Sequence, residues 1–215
     1  MQNGGVNQLV VLKNASFKFT TARFYWFYFW NNNIIFFLNR WNPNCKGEIA
    51  IGSNNGAVFI FRSNSPNDKN QKILRVTDRN DNIVDIQWDR LSSIYLLIAY
   101  TYFISLWDTE SSTEIHIFEK QSISITSIAW MDWTAGNFVS SNSKNSNLKV
   151  WNSSQKQSLE TIKVSGDCGI NSLYFNPGSR RLLCSNLEGS VQVYNLQKKQ
   201  LEYVSSGNTN IGNSQ

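Results

Sequence analysis

Hydrophobic and polar residues alternate along this chain in short runs of period two. In the run 83–88, Ile83, Asp85 and Gln87 alternate with Val84, Ile86 and Trp88. In 57–62, Val58, Ile60 and Arg62 alternate with Ala57, Phe59 and Phe61, an apolar stretch suited to a buried strand. Successive side chains of a strand point to opposite faces, so this pattern predicts β-structure. Gly and Asn stand between the runs, as in Asn54-Asn55-Gly56 and Glu188-Gly189, where tight turns favour residues that tolerate positive φ. No window carries a sustained apolar stripe at i, i+3, i+4 and i+7, so no long helix is expected.

The runs repeat. Four aromatic anchors close similar segments: Arg40-Trp41-Asn42-Pro43, Gln87-Trp88-Asp89, Ala129-Trp130-Met131 and Tyr174-Phe175-Asn176-Pro177. These anchors lie 47, 42 and 45 residues apart. A second series, Phe61, Trp107, Trp151 and Tyr194, has spacings of 46, 44 and 43. Two independent series with one period are the signature of a repeat architecture. One period reads as four strands with turns between them. In the third unit these are 123–130, 137–141, 147–152 and 159–164, and the four units begin near Asn33, Asn82, Ser122 and Gly169. Four antiparallel strands of this size make one propeller blade, which buries both faces against its neighbours.

These residues resemble the WD40 family. Trp107-Asp108 is the intact family dipeptide, and Trp151-Asn152 and Tyr194-Asn195 are close variants. Ser53-Asn54-Asn55-Gly56, Ser141-Asn142 and Ser185-Asn186 look like the family's b–c turn with Asn in place of Asp. The family's Gly-His pair is absent, and the only histidine, His116, falls on a predicted d-strand, so the resemblance does not carry the His-centred hydrogen-bond network to this chain. A narrower likeness, to the WD repeat-containing protein 17 family, rests on Lys46-Gly47-Glu48-Ile49, on the runs 68–74 and 91–97, and on 147–152. The fold class expected is all-β, a partial WD40-type β-propeller of about four four-stranded antiparallel blades spanning 34–205. Residues 1–33 are expected to be irregular, with a remnant strand of a preceding blade, and the Ser/Asn/Gly-rich 206–215 to be a disordered tail. Four blades are the lower limit for a propeller, so the chain is read as an interior piece of a larger protein whose other blades are missing, or as a truncated gene product.

The segment 24–40 departs from this pattern. It is a solid aromatic run without alternation or turn chemistry, built almost wholly of residues with AT-rich codons. One reading is a translated intron: excising it joins Arg23 to Trp41 and restores a strand over 16–23 ending in Trp41. The competing reading is a real edge strand over 33–41.

Composition changes the picture little. Asn makes up about 13% of the 215 residues, while charged residues make up 16%. The net charge is +5, but Lys and Arg are scattered, with no cluster denser than a pair such as Lys198-Lys199. Attraction to phosphate needs clustered charge, so nucleic acid is not the expected partner, and an RNA-binding propeller face is kept as the alternative. Cys45, Cys168 and Cys184 form no C-x-x-C pair; they are read as small buried hydrophobes in a reducing, cytoplasmic compartment. No signal peptide is visible, and the apolar run 24–38 is broken by Asn31-Asn32-Asn33 and too short to span a bilayer.

Nothing forms a catalytic constellation. His116 sits in a plain β alternation and is read as a solvent-facing strand residue. Asp108 and Glu110 lie in a turn, neither phosphate-loop pattern is present, and ligands for a metal are too few, so no enzyme activity, cofactor or metal is expected. Trp41, Trp88, Trp107, Trp130, Trp151, Phe175 and Tyr194 are structural anchors at repeat positions, while Trp133 is off-register and a candidate contact residue. The expected function is a non-enzymatic scaffold for other proteins. Its candidate contacts lie in the b–c turns and d–a loops: Asn54, Asn55, Asp78, Arg79, Lys120, Asn142, Lys144, Asp167, Asn186 and Glu188.

Overall fold

A computed structural model describes residues 27–28, 35–45, 47–53, 55–62, 72–75, 81–92, 94–131, 136–164 and 166–205. Within them lie seventeen strands and no helix. Blade 1 comprises β2 (Ile35–Trp41), β3 (Glu48–Ser53), β4 (Ala57–Arg62) and β5 (Lys72–Arg75), with a two-residue strand β1 (Phe27–Tyr28) added beside β2. Blade 2 is β6 (Ile83–Trp88), β7 (Tyr95–Tyr100), β8 (Ile104–Asp108) and β9 (Thr113–Ile117). Blade 3 is β10 (Ile125–Trp130), β11 (Asn137–Asn142), β12 (Asn147–Asn152) and β13 (Glu160–Lys163). Blade 4 is β14 (Ile170–Asn176), β15 (Arg181–Asn186), β16 (Val191–Asn195) and β17 (Gln200–Ser205). Each blade is an up-and-down meander of four antiparallel strands, here named a to d. The fold class is the all-β, four-blade one expected; the fifth strand of the first sheet was not foreseen.

The period of the sequence is a period of register. In every blade the a–b pairing shifts at the start of strand a, between Phe36 and Leu38, Ile83 and Asp85, Ile125 and Ser127, and Ile170 and Ser172. Three residues beyond each bulge stands the anchor, whose partners across the ladder are Trp41↔Ile49, Trp88↔Leu96, Trp130↔Phe138 and Phe175↔Leu182. A bulge adds a residue and sharpens the local twist, and here it recurs at the same place in all four blades.

Blades 1 and 2 form one compact unit; blades 3 and 4 form another, to which the b–c turn of blade 2 also belongs. In the first unit Ala50, Val58, Ile60, Leu74, Ile83, Ile86, Leu96 and Leu97 are buried. The Trp88 indole N–H donates to Arg40 O at 3.0 Å, and the Arg40 guanidinium pairs with the buried Asp85 carboxylate at 3.0 Å, so the a-strands of the two blades are joined by polar bonds as well as by packing. In the second unit Ala129, Val139, Leu148 and Val150 of blade 3 and Leu173, Phe175, Leu182 and Cys184 of blade 4 share one core. Phe138, Trp151, Trp130 and Phe118 pack edge-to-face or stacked on the other face of blade 3, with ring centroids 4.9–6.1 Å apart. Fully burying a side chain of this size contributes about 1.5–3 kcal/mol, so these two faces carry much of the blade's stability.

Three expectations need correction. Trp41 occupies the same register position as the buried Trp88, Trp130 and Phe175, yet is 39% exposed. For Trp88 the preceding blade of the same unit accepts the indole N–H. Only Cys184 of the three cysteines is buried; Cys45 and Cys168 are half-buried because they lie in loops, not strands. His116 is likewise half-buried, edge-on to Phe118 at 6.2 Å.

Candidate interaction face

In a four-stranded meander the b–c turn and the d–a loop meet at one end of the blade. The asparagines of these turns fold them. Asn142 Oδ1 accepts the backbone N–H groups of Lys144 and Asn145 at 3.0 and 2.9 Å, and its Nδ2 donates to Asn147 O at 2.8 Å. Asn186 Oδ1 accepts Ser190 N–H at 2.9 Å, and its Nδ2 donates to Cys168 Sγ at 2.8 Å. Asn55 Oδ1 accepts Ala57 N–H at 3.2 Å and the Ser53 hydroxyl at 2.5 Å. Asn imitates a backbone turn with its own side chain, which explains its abundance between strands.

In blades 3 and 4 these turns are joined to one another. Ser143 N–H donates to Ser124 O at 3.0 Å, Val164 N–H donates to Ser146 O at 3.1 Å, and the Ser146 hydroxyl returns a bond to Gly166 O. Gly169 lies so close to Ser143 that a Cβ there would overlap its carbonyl. Gln121 N–H donates to Tyr102 O at 2.6 Å, tying the loop that enters blade 3 to the b–c turn of blade 2. The result is a frame of short loops, each held by its neighbour.

On this frame Lys120, Lys144, Asp167 and Glu188 are exposed. Asp167 faces Lys163 across 3.4 Å, a solvent-exposed pair worth little to stability. The exposed charges are of mixed sign, with Glu119 beside Lys120. Asn55 and Asn142 are half-buried and Asn186 is buried, each engaged in its turn. Asn54, Asp78, Arg79 and Trp133 lie outside the described residues. Two apolar side chains at this end were missed: Leu187 is 77% exposed and Tyr102 41%. Leu187 could have been found, because it stands between Asn186 and Glu188-Gly189, at a turn tip where burial is impossible.

The opposite end carries the family dipeptide. Asp108, Asn152 and Asn195 cap the c–d turns by accepting N–H groups two residues on, from Glu110, Ser154 and Gln197 at 2.8, 2.9 and 3.0 Å. At the c–d end of its own sheet, blade 1 places Arg62, bonded to the buried Glu48 at 2.7 Å; that bond raises the guanidinium pKa above its ordinary value. Burial pushes the Cys184 thiol up to about 12, which makes it a poor nucleophile. Among the described residues no group of three His, Cys, Asp or Glu is placed to hold a metal, and no helix is long and apolar enough to cross a membrane.

Residues 40–133 match the family model of the anaphase-promoting complex subunit 4 WD40 domain. The match runs from the end of strand a of blade 1 to just beyond strand a of blade 3, a little under half of the chain, and gives no support to the narrower likeness to WD repeat-containing protein 17. The matched repeats and the four meander blades together support the WD40 family for this chain.

Proposed function

We propose that this chain is a non-enzymatic interaction scaffold whose working surface is the b–c turn and d–a loop end of blades 3 and 4. The observation that carries the reading is the frame itself. Loops cross-linked by Ser143–Ser124, Ser146–Gly166 and Asn186–Cys168 hold Lys144, Asp167, Leu187 and Glu188 outward on a rigid base. Binding residues concentrate on loops positioned by such scaffolds, and a pre-ordered surface loses little entropy on association. An exposed Leu187 at the same end as exposed charges of both signs suits a protein partner, since interface cores are apolar and rims polar. Proteins of the WD40 family generally act as scaffolds, and the matched family is named for a subunit of a complex. A cytoplasmic location accords with three unpaired cysteines.

The test is affinity capture from cells with the full chain and two variants. Leu187→Ser with Lys144→Glu should lose at least one specific partner. Lys199→Glu, at the other end of blade 4, should retain it. Loss from both variants, or from neither, overturns the reading.

A further inference from the structure

Folding brings together charges that the sequence keeps apart. Arg180-Arg181 leads out of the a–b turn of blade 4 into β15, and Lys198-Lys199 ends the c–d turn before β17. Arg181 pairs with Asn195 across the ladder, and the Leu196 N–H donates to Arg180 O at 3.4 Å, so the two turns lie side by side. Four cations therefore stand on two adjoining turns at one end of one blade. Arg180, Lys198 and Lys199 are exposed and Arg181 is half-buried. Two carboxylates border them. Glu202 accepts the Arg181 Nε–H and, at 2.6 Å, the Asn195 Nδ2–H; Glu160 of blade 3 meets Lys199 Nζ at 3.2 Å, in a pair whose lysine is still 72% exposed.

The backbone of these turns is unusual for cations. Arg180 has a φ of 54° and Lys199 a φ of 51°, both in the left-handed region. In the register Arg180 stands just before Arg181, the residue that precedes the anchor's partner Leu182. The equivalent residues of blades 1 and 3 are Gly47 and Gly136, at φ 81° and 79°. Glycine takes this conformation freely, whereas a side chain is strained in it. Blade 4 thus holds a long cation where two sister blades hold glycine, and strain of this kind gathers where side chains are used. The c–d turn is also firmly set: Asn195 Oδ1 accepts the N–H groups of Gln197 and Lys198, each at 3.0 Å.

We infer that this end of blade 4 is a second interaction site, which takes a short acidic segment of a partner protein across Arg180, Lys198 and Lys199. The planar fork of arginine matches a carboxylate bidentately, and the lysines add point charges on flexible stems beside it. A protein segment fits these turns better than a nucleic acid does. A phosphate backbone gains its affinity from many cations along a track. Here Glu160 and Glu202, on the d-strands of blades 3 and 4, confine the cluster to the width of two turns. A short run of Asp and Glu side chains needs no more than that. The site is separate from the loop surface proposed above, and the failure of either leaves the other standing.

Fluorescence anisotropy of a labelled oligoglutamate peptide with the full chain, at low ionic strength, tests it. The peptide should bind, and added salt should release it. Arg180→Gly with Lys199→Gly removes two cations and relieves both left-handed positions. It should weaken binding by about tenfold or more, as the loss of charge-assisted bonds does. Lys120→Ser with Lys163→Ser removes the same charge from exposed positions at the b–c and d–a end of the same unit, and should leave binding unchanged. An oligouridylate of the same length should bind more weakly than the peptide. No binding of the peptide, equal losses in the two double variants, or tighter binding of the oligouridylate would each overturn the inference. Far-ultraviolet circular dichroism checks that each variant folds. Lys198→Glu, which leaves both left-handed positions as they are, should weaken binding likewise and replaces the glycine variant where that one does not fold.

Discussion

The Trp151 indole N–H donates to Ser140 Oγ at 2.9 Å, across adjacent strands and wholly inside blade 3. Trp151 is 0% and Ser140 4% exposed, so neither group has water to fall back on. Ser140→Ala should leave a buried donor unsatisfied and cost about 1–3 kcal/mol. Trp151→Ala should remove the ring that stacks on Phe138 and cost about 3–5 kcal/mol. In a double-mutant cycle the two losses should add to less than their sum, because they share one bond. Urea denaturation of the four chains measures this; full additivity would show that the bond contributes nothing.

Gly169 and Gly178 make a matched pair for a second prediction. A Cβ at Gly169 would run into the Ser143 carbonyl and carbonyl carbon, backbone atoms that cannot swing aside. At Gly178 a Cβ would meet only Asn176 Oδ1 at 3.5 Å, an ordinary contact. Gly169→Ala should therefore destabilise by roughly 1–3 kcal/mol, as overpacking does. Gly178→Ala should be neutral or stabilising by up to about 1 kcal/mol through lost freedom of the unfolded chain. Equal midpoints for the two variants would refute the account of the loop frame.

Much of this fold was legible because the aromatic anchors mark register. Trp88, Trp130 and Phe175 each stand three residues beyond a bulge, so their spacing in sequence is the spacing of blades in space. The strands of blade 3 fall within two residues of expectation for the same reason. What could not be read locally is what stands in front of a side chain. Trp41 and Trp88 have the same sequence role, yet Trp41 is 39% exposed and Trp88 is buried. The turn asparagines posed the same difficulty. Asn142 and Asn186 were expected to be displayed to partners, yet their side chains are engaged with the amides and Sγ beside them. Asn at a turn tip and Asn folding the turn have identical neighbours in sequence; only the reach of nearby amides separates them.

Alkaline titration should reveal the buried thiol. The folded Cys184 thiol is held at about 12 against an ordinary 9.0, with burial the cause. The native state keeps its proton where the unfolded chain would lose it. Stability attributable to this group is therefore complete below pH 9 and declines as pH rises from 9.0 to about 12. Tyr194, whose phenol burial also raises, adds to the decline in the same direction. Cys184→Ala should flatten the fall between about pH 9 and 11 measured by urea midpoints. In native-state alkylation at neutral pH, Cys184 should react last of the three; labelling of Cys184 ahead of Cys45 would contradict its burial.

The segment 24–40 offers the last prediction. Its end contributes real bonds: the Arg40 guanidinium holds Asp85 at 3.0 Å and Arg40 O accepts the Trp88 indole. If the segment is a translated intron, removing it must leave those bonds replaceable, and the sequence permits this. Excision brings Arg23 directly before Trp41, so an Arg-Trp pair again enters strand a at the same register. The carbonyl that receives Trp88 is backbone and survives any side-chain change, and the new guanidinium would stand where Arg40 now meets the Asp85 carboxylate. We therefore expect the chain lacking 24–40 to unfold with a midpoint no lower than that of the full chain. In that shortened chain Arg23→Ala should lower the midpoint, and in the full chain Arg23→Ala should not. A shortened chain that fails to unfold cooperatively while the full chain does so would make 35–41 the genuine first strand. The mature message supplies an independent check, since it should lack the 51 nucleotides encoding 24–40.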